Sequence, residues 1–111
     1  MSDARLAPSV EVSALLARAR GEGGFGTVLR RGDADKGTVL VVLAERGEPV
    51  ATVERLLQRD GRYRWESRSL ADSAAVQQHL ARALDRDPDL WAIELDVPSS
   101  ERFVAGMISD D

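Results

Sequence analysis

Hydrophobic and polar positions along the chain change their period several times, and each change marks an element. After Pro8, the apolar residues Val12, Leu15, Leu16 and Ala19 recur at i, i+3, i+4 and i+7, which places them on one face of a helix. Ser9 can cap the amino end and Gly21 can take the left-handed conformation that stops a helix, so residues 10–20 are expected to be helical. Two segments rich in β-branched and apolar residues follow, Phe25–Arg31 and Thr38–Glu45, separated by Gly32-Asp-Ala-Asp-Lys-Gly37. Turn-forming residues between two such runs predict a β-hairpin. The run Val50–Gln58 then joins Arg62–Ser67 through Arg59-Asp60-Gly61, and this second arm sets Tyr63, Trp65 and Ser67 against Arg62, Arg64, Glu66 and Arg68. Strict alternation predicts a second hairpin, although Val53–Leu57 alone also fits a helix.

Asp72 precedes a stripe of Val76, Leu80, Ala83 and Leu84, the pattern of an N-capped amphipathic helix that stops before Asp87-Pro88. Leu90–Val97 alternates again, with Trp91, Ile93, Leu95 and Val97 on the apolar face and Glu94 and Asp96 on the other, and Pro98 closes it. The order α-β-β-β-β-α-β predicts an α+β fold: an antiparallel sheet of about five strands, built from two hairpins plus a C-terminal strand, with two helices packed on one face. Residues 10–97 are expected to form a single domain, with residues 1–9 an N-terminal extension. Residues 98–111 carry Phe103, Val104, Met107 and Ile108, a pattern suited to a frayed tail or a short docking helix.

Composition narrows the chemistry. A chain of 111 residues with 43% hydrophobic and 31% charged residues can bury one modest core. It has no cysteine and a single histidine, His79, which removes disulfides, thiolate nucleophiles and multi-histidine metal sites. The longest apolar run, Thr38–Ala44, is too short for a membrane span, and the amino terminus lacks the regions of a secretory signal, so a cytoplasmic protein is expected. The net charge of −4 is uneven, with acidic residues dominating 85–111 and arginines dominating 55–68.

The octapeptide GEGGFGTV, residues 21–28, is similar to a kinase glycine-rich loop. Its context is wrong for nucleotide: a helix precedes it, no catalytic-loop or metal-binding motif follows, and the only lysine, Lys36, falls in a turn. The glycines are instead expected to end the first helix, reverse the chain and open the next strand.

The segment Arg30-Arg-Gly-Asp-Ala-Asp-Lys-Gly-Thr-Val-Leu-Val41, preceded by SALLARARGEGGFGTV and followed by Asp87-Pro-Asp-Leu-Trp-Ala-Ile-Glu94, resembles a family of small alphaproteobacterial proteins classed as domain of unknown function 1491. The resemblance spans about residues 10–97 and implies a small bacterial cytoplasmic protein with no assigned cofactor.

Three site readings follow. Asp33, Asp35, Asp87 and Asp89 are oxygen donors suited to magnesium or calcium if the 32–37 turn and the corner before the last strand share one edge of the sheet, which would favour a metal-dependent hydrolase or phosphate-ester enzyme. Glu94 and Asp96 extend that set but lack the lysine a nuclease core needs. Arg62, Arg64 and Arg68, with Arg55 and Arg59 nearby, form a basic stripe for an anionic ligand or an acidic protein partner. Nucleic acid is disfavoured there, because Tyr63 and Trp65 alternate away from the arginines and the chain is acidic. His79 borders the apolar stripe of its helix with no nucleophile motif to serve. With no complete catalytic constellation, the leading expectation is a non-enzymatic interaction or regulatory module that binds a protein partner or itself.

Overall fold

Six consecutive residues, Val39–Ala44, are at most 2% exposed, and a strand buried on both faces must be covered from both sides. In a computed structural model, which describes residues 7–109, this run belongs to β2 (Val39–Glu45) at the centre of a five-stranded sheet. The other elements are α1 (Pro8–Gly21), β1 (Phe25–Arg30), β3 (Glu48–Leu57), β4 (Tyr63–Ser69), α2 (Ser73–Arg86), β5 (Trp91–Asp96) and α3 (Ser100–Ser109). Residues 1–6 of the expected N-terminal extension, and Asp110 and Asp111 of the tail, lie outside the described residues.

The helices do not share one face of the sheet, as the periodicity suggested. Val39, Val41 and Leu43 point into a core with Val12, Leu15 and Ala19 of α1 and Phe103 and Met107 of α3. Leu40 and Val42 point the other way, against Val76, Leu80 and Ala83 of α2. The correction follows from β2 itself, whose unbroken apolar run leaves no wet face.

The strand order is β1-β5-β2-β3-β4, and the sheet is mixed rather than purely antiparallel. The expected hairpin between 25–31 and 38–45 does not form. β5 enters between those strands, antiparallel to β1 and parallel to β2. Burial explains the choice: β5 is almost wholly buried, whereas Phe25, Val28 and Leu29 of β1 keep 60%, 39% and 42% of their surface exposed. The strand with more apolar surface takes the inner position. The parallel pairing requires a crossover, which α2 supplies from the end of β4.

Two hairpins do exist, one residue block later than expected for the first. β2 and β3 meet through Arg46-Gly47, both with positive φ (53° and 81°), the geometry of a two-residue turn that matches strand twist. The Asp96 carboxylate accepts both of its amides, Arg46 N–H at 3.2 Å and Gly47 N–H at 2.7 Å. β3 and β4 pair from Ala51↔Ser69 to Leu57↔Tyr63, so 50–58 is strand and not helix. Asp72 caps α2 as its position predicts, accepting from Ala75 N–H at 2.8 Å. Among the described residues no helix is long and apolar enough to cross a membrane.

The C-terminal segment is a docked helix. Phe103 is fully buried, Met107 nearly so, and the Glu45 carboxylate accepts the Ser100 amide at 2.7 Å. That bond holds the Glu45 carboxyl below its ordinary range. Phe103→Ala should therefore lower unfolding stability by about 3–4 kcal/mol in urea titration; a loss under about 1 kcal/mol would mean that α3 rests on the core without closing it.

Candidate functional site

The glycine-bounded loop 31–38 connects two strands that another strand separates, so it has to pass around the entrance of β5. Asp33 N–H donates to the Asp89 carbonyl at 3.0 Å, and Trp91 Nε1 donates to the Asp33 carbonyl at 2.8 Å. A Cβ at either Gly32 or Gly37 would overlap the Asp89 carbonyl oxygen, so both positions require glycine for close approach. The Arg31 guanidinium lies 5.6 Å from the Trp91 ring centroid, within cation–π range.

Arg30 ties the same corner from the side. Its guanidinium donates to the carbonyls of Leu84 (3.1 Å), Leu90 (2.9 and 3.1 Å) and Asp87. A planar cation with several donors suits the carbonyls left unpaired at a helix carboxyl end. Sequence reasoning passed over Arg30. The signal available was its place just before Gly32, inside the segment that carried the family resemblance.

This corner sets the 32–37 turn, which carries Asp33 and Asp35, against the segment that carries Asp87 and Asp89. Their oxygens nevertheless have local uses. Asp33 Oδ1 accepts the amides of Asp35 (2.9 Å) and Lys36 (2.8 Å), and Asp87 Oδ1 accepts that of Asp89 (3.0 Å). The two amides hold the Asp33 carboxyl below its ordinary range, that of Lys36 contributing most. Among the described residues, no three carboxylate or histidine side chains are grouped to hold a metal ion. Glu94 and Asp96 stand apart, opposite Thr27 and Phe25 on β5.

The arginine stripe is on β4, at the opposite edge. Arg64 lies 3.8 Å from Asp60, and Arg62 and Arg68 are exposed beside it. Arg55 is on the other face, paired with Glu11 at 3.0 Å and 4.6 Å from the Trp65 centroid. Trp65 is buried, whereas Tyr63 is 43% exposed. His79 Nε2 lies 2.6 Å from Glu54 Oε2, a polar tie between α2 and β3.

The glycine loop has a structural explanation as well. Gly23, not Gly21, takes the left-handed conformation (φ 88°), and Gly26 fits between Leu16 and Leu95 where a side chain would not. Gly23 and Gly24 also border an open groove of about 640 Å³ whose other walls include Phe25, Glu45, Arg46 and Asp96. β1 is an edge strand of the sheet. Among the described residues β1 pairs only with β5, and from Gly23 to Leu29 it carries no charge.

Comparison with known proteins places these observations. A family model described as protein of unknown function (DUF1491) matches residues 6–105. The crystal structure of a DUF1491 family protein from Caulobacter crescentus CB15 is similar, with 32% identity over 89% of this chain and 94% of that one and a TM-score of 0.77. An NMR structure of a DUF1491 family protein from the same organism gives 30% identity over 88% and 91%, with a TM-score of 0.74. The solution structure of protein Atu0922 from A. tumefaciens shares the fold at 24% identity, covering 90% and 92%, with a TM-score of 0.74. No curated protein matches the chain.

Gly37→Ala should destabilise the protein by about 1–3 kcal/mol in urea, because backbone stands where the methyl would go; an unchanged midpoint would show that the loop gives way freely. A depressed Asp33 pKa adds stability that is present above the unfolded-state value and lost as pH falls through the folded one. Between about pH 5 and pH 2.5 the urea midpoint of Asp33→Asn should thus fall less steeply than that of the wild type; parallel curves would deny the turn any such role.

Proposed function

This chain belongs to the DUF1491 family, on a match over residues 6–105, and from that premise we propose that it is a non-enzymatic interaction module of the bacterial cytoplasm that receives an extended strand along the outer edge of β1. The observation that carries this reading is the contrast between the two edges of the sheet. An edge strand presents unpaired amides and carbonyls, and proteins commonly guard it with charge. β4 has Arg62, Arg64, Glu66 and Arg68 along its length, so the arginine stripe reads as that guard. β1 has none between Gly23 and Leu29, and exposes Phe25, Val28 and Leu29.

Strand addition needs little more than this, since main-chain hydrogen bonds supply affinity and alternate side chains supply selectivity. The polar groups that suggested chemistry are engaged elsewhere: Asp33, Asp87 and Asp96 accept backbone amides, and Arg30 caps α2.

A photo-crosslinking residue at position 25, introduced into the full chain in cells, should yield covalent protein adducts that decline when Thr27→Lys guards the edge. The same residue at position 64 should yield far fewer. Equal labelling at the two positions, or labelling indifferent to Thr27→Lys, would overturn the reading.

A further inference from the structure

We propose that the strand received along β1 comes from a basic partner protein: a segment that alternates apolar residues over the α1 side of β1 with lysine or arginine over the other side, one of these crossing Thr27 to the carboxylate of Glu94. This names the chemistry of the occupant and rests on the edge-strand reading.

Glu94 carries the argument. It is partly buried within β5, and among the described residues no hydrogen bond or ion pair reaches its carboxylate. Every other buried or partly buried carboxylate among them is engaged. Glu11, Glu22 and Glu54 meet side-chain nitrogens, and Asp33, Glu45, Asp87 and Asp96 accept backbone amides. Neither neighbour of Glu94 across the sheet is charged, since Val42 stands opposite it on β2 and Thr27 on β1. Arg30, opposite Ala92 on the same face, spends its guanidinium on the carbonyls of Leu84, Asp87 and Leu90. Arg46, in the turn that Asp96 holds, makes no ion pair with Glu94. A strand laid along β1 would take further water from this carboxylate, and a charge that loses solvent needs a counter-charge. Val42 is covered by α2, so the open approach to Glu94 is across the exposed Thr27. The incoming backbone would stand about 10 Å from that of β5, a gap that a lysine or arginine and a glutamate span together.

Alternation supplies the rest of the partner's pattern. Residues directly opposite each other in a ladder share a face, so Phe25 and Thr27 share that of Asp96 and Glu94. Gly26 and Val28 share that of Leu95 and Ile93, the side of the core under α1. On the first face the Phe25 ring, 60% exposed, lies next to the path of the basic side chain and can receive its aliphatic stem or its charge. On the second face Gly26 has no side chain, Leu16 packs against it, and Val28 is 39% exposed, so an apolar residue fits there. The register shift between Val28 and Arg30 ends the regular ladder, which confines the pattern to Phe25–Val28. The net charge of −4 favours the approach of a partner of this sign.

The test uses the full chain and two blocked synthetic peptides, one of alternating valine and lysine and one of alternating valine and glutamate. The valine-lysine peptide should shift the amide resonances of Phe25–Val28 and of Glu94. It should bind the wild type about tenfold more tightly than it binds Glu94→Gln, which keeps the shape of the side chain and removes its charge. Glu101→Gln, at an exposed carboxylate on α3, should bind like the wild type, and the valine-glutamate peptide should bind the wild type as weakly as the lysine peptide binds Glu94→Gln. If the two peptides bind β1 equally, or if Glu94→Gln and Glu101→Gln weaken the lysine peptide alike, the basic partner is overturned, while the edge reading stands because the resonances of β1 have moved. A valine-lysine peptide that leaves β1 unmoved also overturns the basic partner, and cross-linking at position 25 then decides the edge reading by itself: a protein captured there keeps it, and none captured ends both.

Discussion

β5 must enter a gap between two strands that neighbour each other in the chain. Strands in a sheet are spaced about 4.8 Å apart, so β1 and β2 stand roughly 10 Å apart with β5 between them. The connection between them has to span that distance while keeping its own polar groups bonded. Loop 31–38 does so by using the incoming chain as its partner: Asp33 bonds to Asp89 and Trp91 bonds back to Asp33. Arg30 completes the arrangement from beneath, holding the carboxyl end of α2 where the chain turns into β5. β1 takes its place in the sheet through this corner and through β5, its only strand partner among the described residues.

An acidic chain can use its carboxylates in two ways, as reactive groups or as acceptors for stray amides. This one favours the second. Asp33, Asp72, Asp87 and Asp96 each accept a backbone amide at a turn or helix start, and Glu45 does so for α3. Such bonds favour the charged form and fix local geometry. They also account for why the aspartates flanking Gly32 and Pro88 looked like a site: turn chemistry and metal ligation call for the same residue type.

Much of the fold could be read from the chain because period and caps agree. Asp72 with its apolar stripe defined α2, and the alternation of Trp91, Ile93 and Leu95 defined β5. What escaped was pairing. Gly32 and Gly37 look like hairpin glycines, but they are required by close approach to Asp89, a contact far along the chain that local pattern does not contain. The true first hairpin, Arg46-Gly47, was hidden because a turn with two left-handed residues usually advertises itself with Asn-Gly, and here Asp96 supplies the missing acceptor from β5. The open edge of β1 was equally invisible, since its uncharged residues became exposed only when β5 displaced them from β2. The quoted family segments that begin at Arg30 and at Asp87, however, proved to be neighbours in space, which is a physical reason for their belonging together.

The topology also orders events in time. β2, β3 and β4 are joined by tight turns and can assemble as soon as they are made, whereas Val39 meets Trp91 across fifty-two residues of chain. Contacts of such high sequence separation form slowly, because loop-closure entropy is spent before they reward it. During synthesis β1 emerges early and its only partner strand among the described residues emerges last, so Phe25, Val28 and Leu29 are without their neighbour for most of translation. The nascent chain therefore meets its greatest aggregation hazard before β5 leaves the ribosome, and the speed at which residues 87–96 lock into the corner sets how long that hazard lasts.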